Sequence, residues 1–407
     1  MPPYDCGVTE TNTVRIEKLV AGGDGLARMD DGRVVFVPGV LPGEMVEITL
    51  AEKASDFGRG EVVSITEKSA DRREPPCPHV AAGCGGCDWQ HISPEAQHRV
   101  KAEIVTEAFA RTAKMEITPR LRTLDESARR TTVRMVAGDD GRLGFRKSES
   151  NDIVVVDRCM VAHDMINDII AKPVLEGAGE VTIRVSPRTG DRGVWCHEGQ
   201  MVRDLDPSIV RGARGSMKET VGDQTYKVAL GSFFQSSPEA ADLIVDVVKR
   251  RLNGLELEHG GTLVDAYGGV GLFSKAFADR FDELVLVESN QQACRDAIAN
   301  LEDCAAVIDQ VEMERWESCY ADVVIADPAR QGLGKNGALA VIETGAPVVI
   351  LVSCDPVAGA RDAKYLVDAG YELHDVEVLD IFPETHHVEV ISLFTGEFDD
   401  EEEDRRR

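Results

Sequence analysis

The chain lacks any apolar run approaching the roughly 20 residues that a membrane span needs. Its opening residues, MPPYDCGVTE, offer neither a basic n-region nor an apolar h-region. A cytoplasmic protein without membrane attachment is expected. Its ten cysteines should then be reduced, and a clustered set should serve metal binding or catalysis rather than disulfides. Positive charge is also in deficit: 45 Lys and Arg stand against 72 Asp and Glu, a formal net charge of −27. That balance excludes a protein that merely coats nucleic acid. The deficit is uneven, with about −4 on residues 1–160 and about −23 on the remainder. Within the first part, residues 119–147 are locally basic, suited either to hold a phosphate backbone or to form a solvated face. No internal repeat and no long low-complexity linker is present. At 407 residues the chain exceeds one compact core, and two or three domains are expected.

Residues 12–66 alternate short β-rich runs (TVRIEKLV, RVVFVPGV, EMVEITLAEK, GRGEVVSITEK) with Gly/Pro turns. Short strands at this spacing predict a small closed barrel, a form that often binds RNA on one face and elsewhere is structural. A Pro/Cys/Gly-rich loop follows over 69–92. Ser93 and Pro94 then read as N-cap and first position of a helix through SPEAQHRVKAEIVTEAFART. Residues 117–230 read as mixed α/β. From 262 onward strands and helices alternate, which predicts a doubly wound parallel sheet with ligands at the carboxyl ends of its strands. The tail DDEEEDRRR is too charged to pack and reads as disordered.

Three further absences narrow the chemistry. There is no pyrophosphate-type G-x-G-x-x-G at the first βα turn. Instead LVDAYGGVG brings Asp265 to a strand end and turns through Gly268, Gly269 and Gly271, and the next strand ends on Glu288, placed for a ribose hydroxyl. This points to S-adenosylmethionine rather than a nicotinamide cofactor. VVIADPAR puts Asp327 at the next strand tip, but no aromatic residue follows Asp327-Pro328, which argues against methylation of an exocyclic amine. The C-x3-C-x2-C of radical enzymes is missing as well. Cys77, Cys84 and Cys87 lie instead in C-x6-C-G-G-C, with Cys159 as candidate fourth ligand. Four such thiols can hold zinc or an iron–sulfur cluster, and the single C-x2-C pair favours the cluster.

What is present at the end of the chain is more specific. APVVILVSCDP carries a strand to Cys354 and breaks on Asp355-Pro356. A thiolate there faces the cofactor crevice as a nucleophile. Pyrimidine C5 accepts a methyl group only after a nucleophile adds to C6, and the C5 proton must then leave to a base. FPETHHVEVISLF supplies Glu389 beside His386 and His387. Cys6, Cys196, Cys294, Cys304 and Cys319 are isolated and read as structural.

Together these motifs resemble the iron–sulfur-containing RNA 5-methyluridine (uracil-C5) methyltransferases with an N-terminal TRAM barrel, over about residues 12–395. The resemblance implies an OB-like TRAM barrel (1–68) that binds RNA and a central α/β domain with the cysteine cluster (69–230). A Rossmann-like methyltransferase domain (231–396) and a charged tail (397–407) follow. It implies a [4Fe-4S] cluster on Cys77, Cys84, Cys87 and Cys159. S-adenosyl-L-methionine would be contacted by Gln235 of GSFFQSSPEAA, Tyr267, Glu288 and Asp327. Cys354 would attack C6 of a flipped-out uridine, and Glu389 would take the C5 proton. The partner implied is structured ribosomal or transfer RNA, with no obligate protein partner. Arg130, Arg134 and Arg146 are candidate phosphate contacts. The chain departs from the family pattern in its C-x6-C spacing, in Tyr267-Gly268, in Ala329 and in Asp355. A cytosine-C5 methyltransferase, or a noncatalytic RNA-binding protein with a relict domain, are the alternatives.

Overall fold

A computed structural model describes residues 11–397 except 54–56, 126–128, 139, 149, 172–173, 177–178, 197–200, 204 and 256–259. Cys6 and the charged tail beyond 397 lie outside the described residues.

Five strands between Thr11 and Glu67 close into a barrel. Their alternating inward residues, Val14, Ile16, Val35, Val37, Val46 and Ile48, form a separate small core. Alternation with period two is what places these side chains on one face. At Gly60 a Cβ would stand 2.8 Å from Ile48 Cδ1 and 3.2 Å from Val35 Cγ1, so the last strand passes over that core only as glycine.

The largest sheet has eight strands. In spatial order they are Ala306–Asp309, Glu283–Val287, Thr262–Ala266, Val323–Ala326, Val348–Ser353, Glu389–Thr395, Glu372–Asp380 and Arg120–Thr123. The first five run parallel, and Glu389–Thr395 returns antiparallel between its two neighbours. Strands with both faces covered read as continuous apolar runs, as VVILVS does, buried at every position. The outermost strand, Arg120–Thr123, comes from far earlier in the chain and pairs parallel to Glu372–Asp380. The doubly wound α/β class is therefore present, with one strand of the sheet supplied from the central segment.

A second sheet of six strands lies between Thr132 and Arg211. It packs Val133, Met135, Val181 and Ile183 against the short helix Asp164–Ile170. Among the described residues no helix is long and apolar enough to cross a membrane.

Helix Pro94–Ala108 joins these parts. Ser93 Oγ accepts from Ala96 N, and proline fills the first position, as the sequence predicts. Its buried stripe, Ala96, Val100, Ile104, Val105 and Ala108, also contains Gln97 and Lys101. The Lys101 ammonium is fully buried and donates to Asp380 Oδ1 at 2.6 Å and to the Phe382 carbonyl at 3.0 Å. Removing one partner of such a pair strands a buried charge, which costs about 3–5 kcal/mol. Lys101→Met should lower unfolding stability by that amount in urea titration. Lys101→Met combined with Asp380→Leu should recover a substantial part of it.

Candidate active site

The crevice forms where the parallel strands end. Strand Val348–Ser353 stops at Cys354, and Asp355 then caps helix Pro356–Asp368, its Oδ1 accepting from Val357 N at 3.0 Å and Ala358 N at 2.8 Å. Asp-Pro after the cysteine is thus an N-cap followed by a proline at the first helical position. The chain must leave the strand direction one residue after the thiol.

Strand register brings in Glu389. Ser353 pairs with Val390 across the antiparallel ladder. Continuing that register puts Cys354 and Glu389 at the same end of adjacent strands. Glu389 is buried, and its Oε1 has no hydrogen-bond partner among the described residues. Burial pushes its carboxyl well above the ordinary range, and the Asp327 carboxylate adds to the shift. Cys354 is half-buried. Desolvation, then the Glu389 and Asp327 charges, push its thiol up to about 12, with Arg330 opposing. The crevice therefore holds a neutral thiol beside carboxyl groups that resist ionising, an arrangement suited to passing protons rather than storing a thiolate.

Asp327 belongs to this group. It is only half-buried by area, yet desolvation and the Asp265 charge hold its carboxyl at about 7. Asp265 is fully buried. Its Oδ2 accepts from Ser274 N at 2.8 Å and Ser274 Oγ at 2.7 Å, while Oδ1 has no partner among the described residues. Burial raises it to about 7 against these two hydrogen bonds.

The turn after Asp265 carries the expected cofactor residues. Tyr267 has φ +60, a left-handed conformation rare outside glycine and frequent at functional turns. Its hydroxyl lies 3.4 Å from Glu314 Oε1. At Gly268 a Cβ would approach Leu286 Cγ to 2.6 Å, so backbone alone fits there. Glu288 Oε2 accepts from Gly269 N at 3.1 Å and its Oε1 from Asn290 N at 2.6 Å. Its carboxylate thus braces the turn from the neighbouring strand end. Gln235 is buried on the segment 231–237. That segment is held by Arg184 Nη2 to Ser232 O at 2.8 Å, Ser232 Oγ to Asp296 Oδ2 at 2.6 Å and Thr131 N to Ser236 O at 2.9 Å. Sequence reading missed Arg184, Asp296 and Thr131, because residues that hold a site through the backbone leave no motif.

The loop between Asp380 and Glu389 forms one wall. Glu384, at φ +66, is gripped by Arg73 Nη2 at 2.6 Å from both its oxygens, by Gln97 Nε2 at 3.2 Å, and by Trp89 N donating to its carbonyl at 3.0 Å. Asp88 accepts from His386, with Oδ2 2.6 Å from Nδ1. His387 Nε2 lies 3.2 Å from Arg330 Nη2. Burial and the neighbouring cations lower its pKa to about 4, so this imidazole is neutral at pH 7.

The second candidate site is a cavity of about 280 Å³. Cys77, Cys84, Cys87 and Cys159 all line it, with Arg130 and Phe145. The C-G-G-C turn lies against strand Leu143–Arg146. Gly85 N donates to Arg146 O at 3.0 Å, and a Cβ at Gly85 would stand 2.9 Å from that oxygen. Gln90 Oε1 accepts from Cys77 N at 3.1 Å, and Asn167 Oδ1 from Cys159 N at 2.8 Å. Burial pushes the Cys87 thiol to about 12 and raises those of Cys84 and Cys159. Among the described residues no three His, Cys, Asp or Glu side chains converge to hold a metal ion.

The basic segment 119–147 is largely neutralised within the chain. Arg120 pairs with Asp375, Arg122 with Glu377, Arg134 and Arg146 with Glu180, Arg142 with Asp140 and Lys147 with Asp152. Arg130 lines the thiol cavity instead. The expected cluster of phosphate-binding arginines is thus mostly a set of internal ion pairs.

A TRAM-domain model matches residues 8–63. A protein of Streptomyces coelicolor described as an uncharacterized RNA methyltransferase is 33% identical, the match covering 95% of this chain and 93% of that one. One of Streptomyces avermitilis with the same description is 32% identical, over 94% of this chain and 98% of its own. Among solved structures, the tRNA (uracil-54, C5)-methyltransferase of Pyrococcus abyssi in complex with S-adenosyl-L-homocysteine superposes with TM-score 0.70. It is 23% identical and covers 94% of this chain and 99% of its own, a likeness of fold across the whole length.

Asp265 gives the site a pH signature. Its folded carboxyl titrates near 7 against an ordinary value of 3.8. The folded state therefore holds a proton that the unfolded chain releases between those values, and stability falls as pH rises through that window. Asp265→Asn should raise the thermal midpoint by about 2–4 °C at pH 8. The gain should shrink as pH falls to 5 and vanish near pH 4, as differential scanning calorimetry would show.

Proposed function

The chain belongs to the family of RNA methyltransferases that its Streptomyces relatives represent, and on that premise we propose that it methylates C5 of a uridine in structured transfer or ribosomal RNA, with S-adenosylmethionine as methyl donor. The observation that carries this reading is the crevice in which strand register sets Cys354 beside Glu389, with the Glu389 and Asp327 carboxyls raising the Cys354 thiol.

Cys354 adds to C6 of the uracil as its proton passes to Asp327, whose carboxyl, held at about 7, is partly ionised at neutral pH. The adduct makes C5 carbanion-like, and C5 takes the methyl group of the donor. Glu389, once it has released its own proton to solvent, removes the C5 proton, and Cys354 leaves C6 as thiolate and recovers its proton from Asp327, which restores the ring. Gln235, Tyr267, Glu288 and Asp327 border the methyl donor, Glu288 through the Gly-rich turn it braces. The barrel and the cysteine-bearing segment would present the RNA to this crevice.

The thiol cavity fits a [4Fe-4S] cluster on Cys77, Cys84, Cys87 and Cys159. Four cysteines that line one cavity suit a polynuclear group. Arg130 Nε and Nη2 are buried there without a hydrogen-bond partner among the described residues, as expected beside a net anion. The cluster would order the loop, since uracil methylation as written requires no electron.

RNA containing 5-fluorouridine tests the chemistry, because fluorine cannot leave C5 as a proton does. The wild type should accumulate a covalent protein–RNA complex with the methyl donor, visible on denaturing gels. Cys354→Ala should give none, and Glu389→Gln should trap ordinary uridine RNA after methyl transfer. Failure of the wild type to trap would sink the adduct mechanism, and 5-methylcytidine in the nucleoside digest would reassign the base.

For the cavity, anaerobic purification should yield a brown protein with about four irons per chain. A colourless zinc protein would overturn the cluster.

A further inference from the structure

Arg130 stands where three parts of the molecule meet. Its backbone is bound on both sides to the Cys159 loop, Arg130 N donating to Val161 O at 2.8 Å and His163 N donating to Arg130 O at 2.9 Å. Its side chain lines the cavity of the four cysteines, and Nε and Nη2 are buried there without a partner among the described residues. A desolvated guanidinium left so is costly unless an anion answers it. The other face of the same group reaches the catalytic loop, with Cζ 6.0 Å from the centroid of the Phe382 ring. Phe382 in turn packs edge-on against His387 at 6.0 Å, two residues before Glu389. The next residue, Thr131, holds Ser236 beside Gln235.

We propose that Arg130 is a positioning residue that couples the group held by the four cysteines to the wall of the catalytic crevice. This rests on the cluster reading above. With four thiolates in place the cavity carries net negative charge, and the guanidinium is drawn to it through Nε and Nη2. That fixes the plane of the guanidinium, hence its contact with Phe382 and the position of His387. Asp88 is a second strut on the same path. It directly follows Cys87 and holds His386, so the loop that carries Glu389 is clamped twice from the cysteine side. A long cationic side chain is not replaceable here by an apolar one of similar volume, because the latter keeps the packing on Phe382 and loses the charge facing the cavity.

The test compares wild type, Arg130→Met and Arg130→Lys, all purified anaerobically as full-length protein. Arg130→Met should load iron but release it to a chelator about tenfold faster, and its kcat should fall about tenfold, the lower end for outer-sphere partners of a metal site. KM for S-adenosylmethionine and for RNA should stay unchanged. Arg130→Lys should restore most of the iron retention. Iron release and kcat both at wild-type values in Arg130→Met would overturn the proposal, as would faster release with unchanged kcat, which would leave a counter-charge without coupling. A rise in RNA KM alone, with a shallower salt dependence of binding, would make Arg130 a phosphate contact and also overturn it. Wild-type protein without iron would overturn the cluster reading itself. If Arg130→Met does not fold, Arg130→Gln takes its place in the same comparison.

Discussion

The buried contact between Lys101 and Asp380 is the constraint on which the active site depends. A fully desolvated ammonium is tolerable only against an equally buried carboxylate. Once the two meet, the end of strand Glu372–Asp380 is fixed against helix Pro94–Ala108. From that point the chain runs only nine residues to Glu389, and nearly every contact along it comes from the cysteine-bearing part. Lys101 holds the Phe382 carbonyl, Arg73 and Gln97 hold Glu384, and Asp88 holds His386. Glu389 is thus placed by a segment remote in sequence, and the sheet alone would leave its approach loop unsupported.

This dependence explains which parts of the molecule are readable from sequence. The barrel and the alternating strands and helices follow from local periodicity and from turn residues, and both appear as expected. The Cys354 end of its strand is legible because Asp355-Pro356 is a local capping signal. The closeness of Glu389 to Cys354 follows from an antiparallel register, Ser353 to Val390, which no local pattern specifies. Strand Arg120–Thr123 is harder still. Four mostly exposed residues, two of them arginine, look like surface chain until their partners Asp375 and Glu377 are known. The same pairing dissolves the basic patch that residues 119–147 suggest. Charges counted along a chain do not reveal which are already neutralised by carboxylates hundreds of residues away.

The crevice shows the cost of function in physical terms. Asp327 and Glu389 stand at the ends of the strands on either side of the one that delivers Cys354, with Asp265 on the strand beyond Asp327, and each has its carboxyl held above the ordinary range. A core built for stability would not flank a thiol with two such groups. The strand ends of a parallel sheet tolerate them because backbone N–H groups and hydroxyls answer part of the charge, as Ser274 does for Asp265. Asp265 Oδ1, Ser353 Oγ and Glu389 Oε1, which have no hydrogen-bond partner among the described residues, lie at this end of the sheet.

The acidity of the chain bears on how RNA is held. With Arg120, Arg122, Arg134, Arg142 and Arg146 paired to carboxylates of the same chain and a net charge of −27, counterion release from a broad basic face is a weak source of affinity. Uncharged contacts must then supply more of it. Phe233, 73% exposed two residues before Gln235, and Phe57 on the last barrel strand are apolar surfaces of the kind on which unstacked bases rest. Stacking is insensitive to salt, and screening weakens the repulsion between phosphate and the acidic surface.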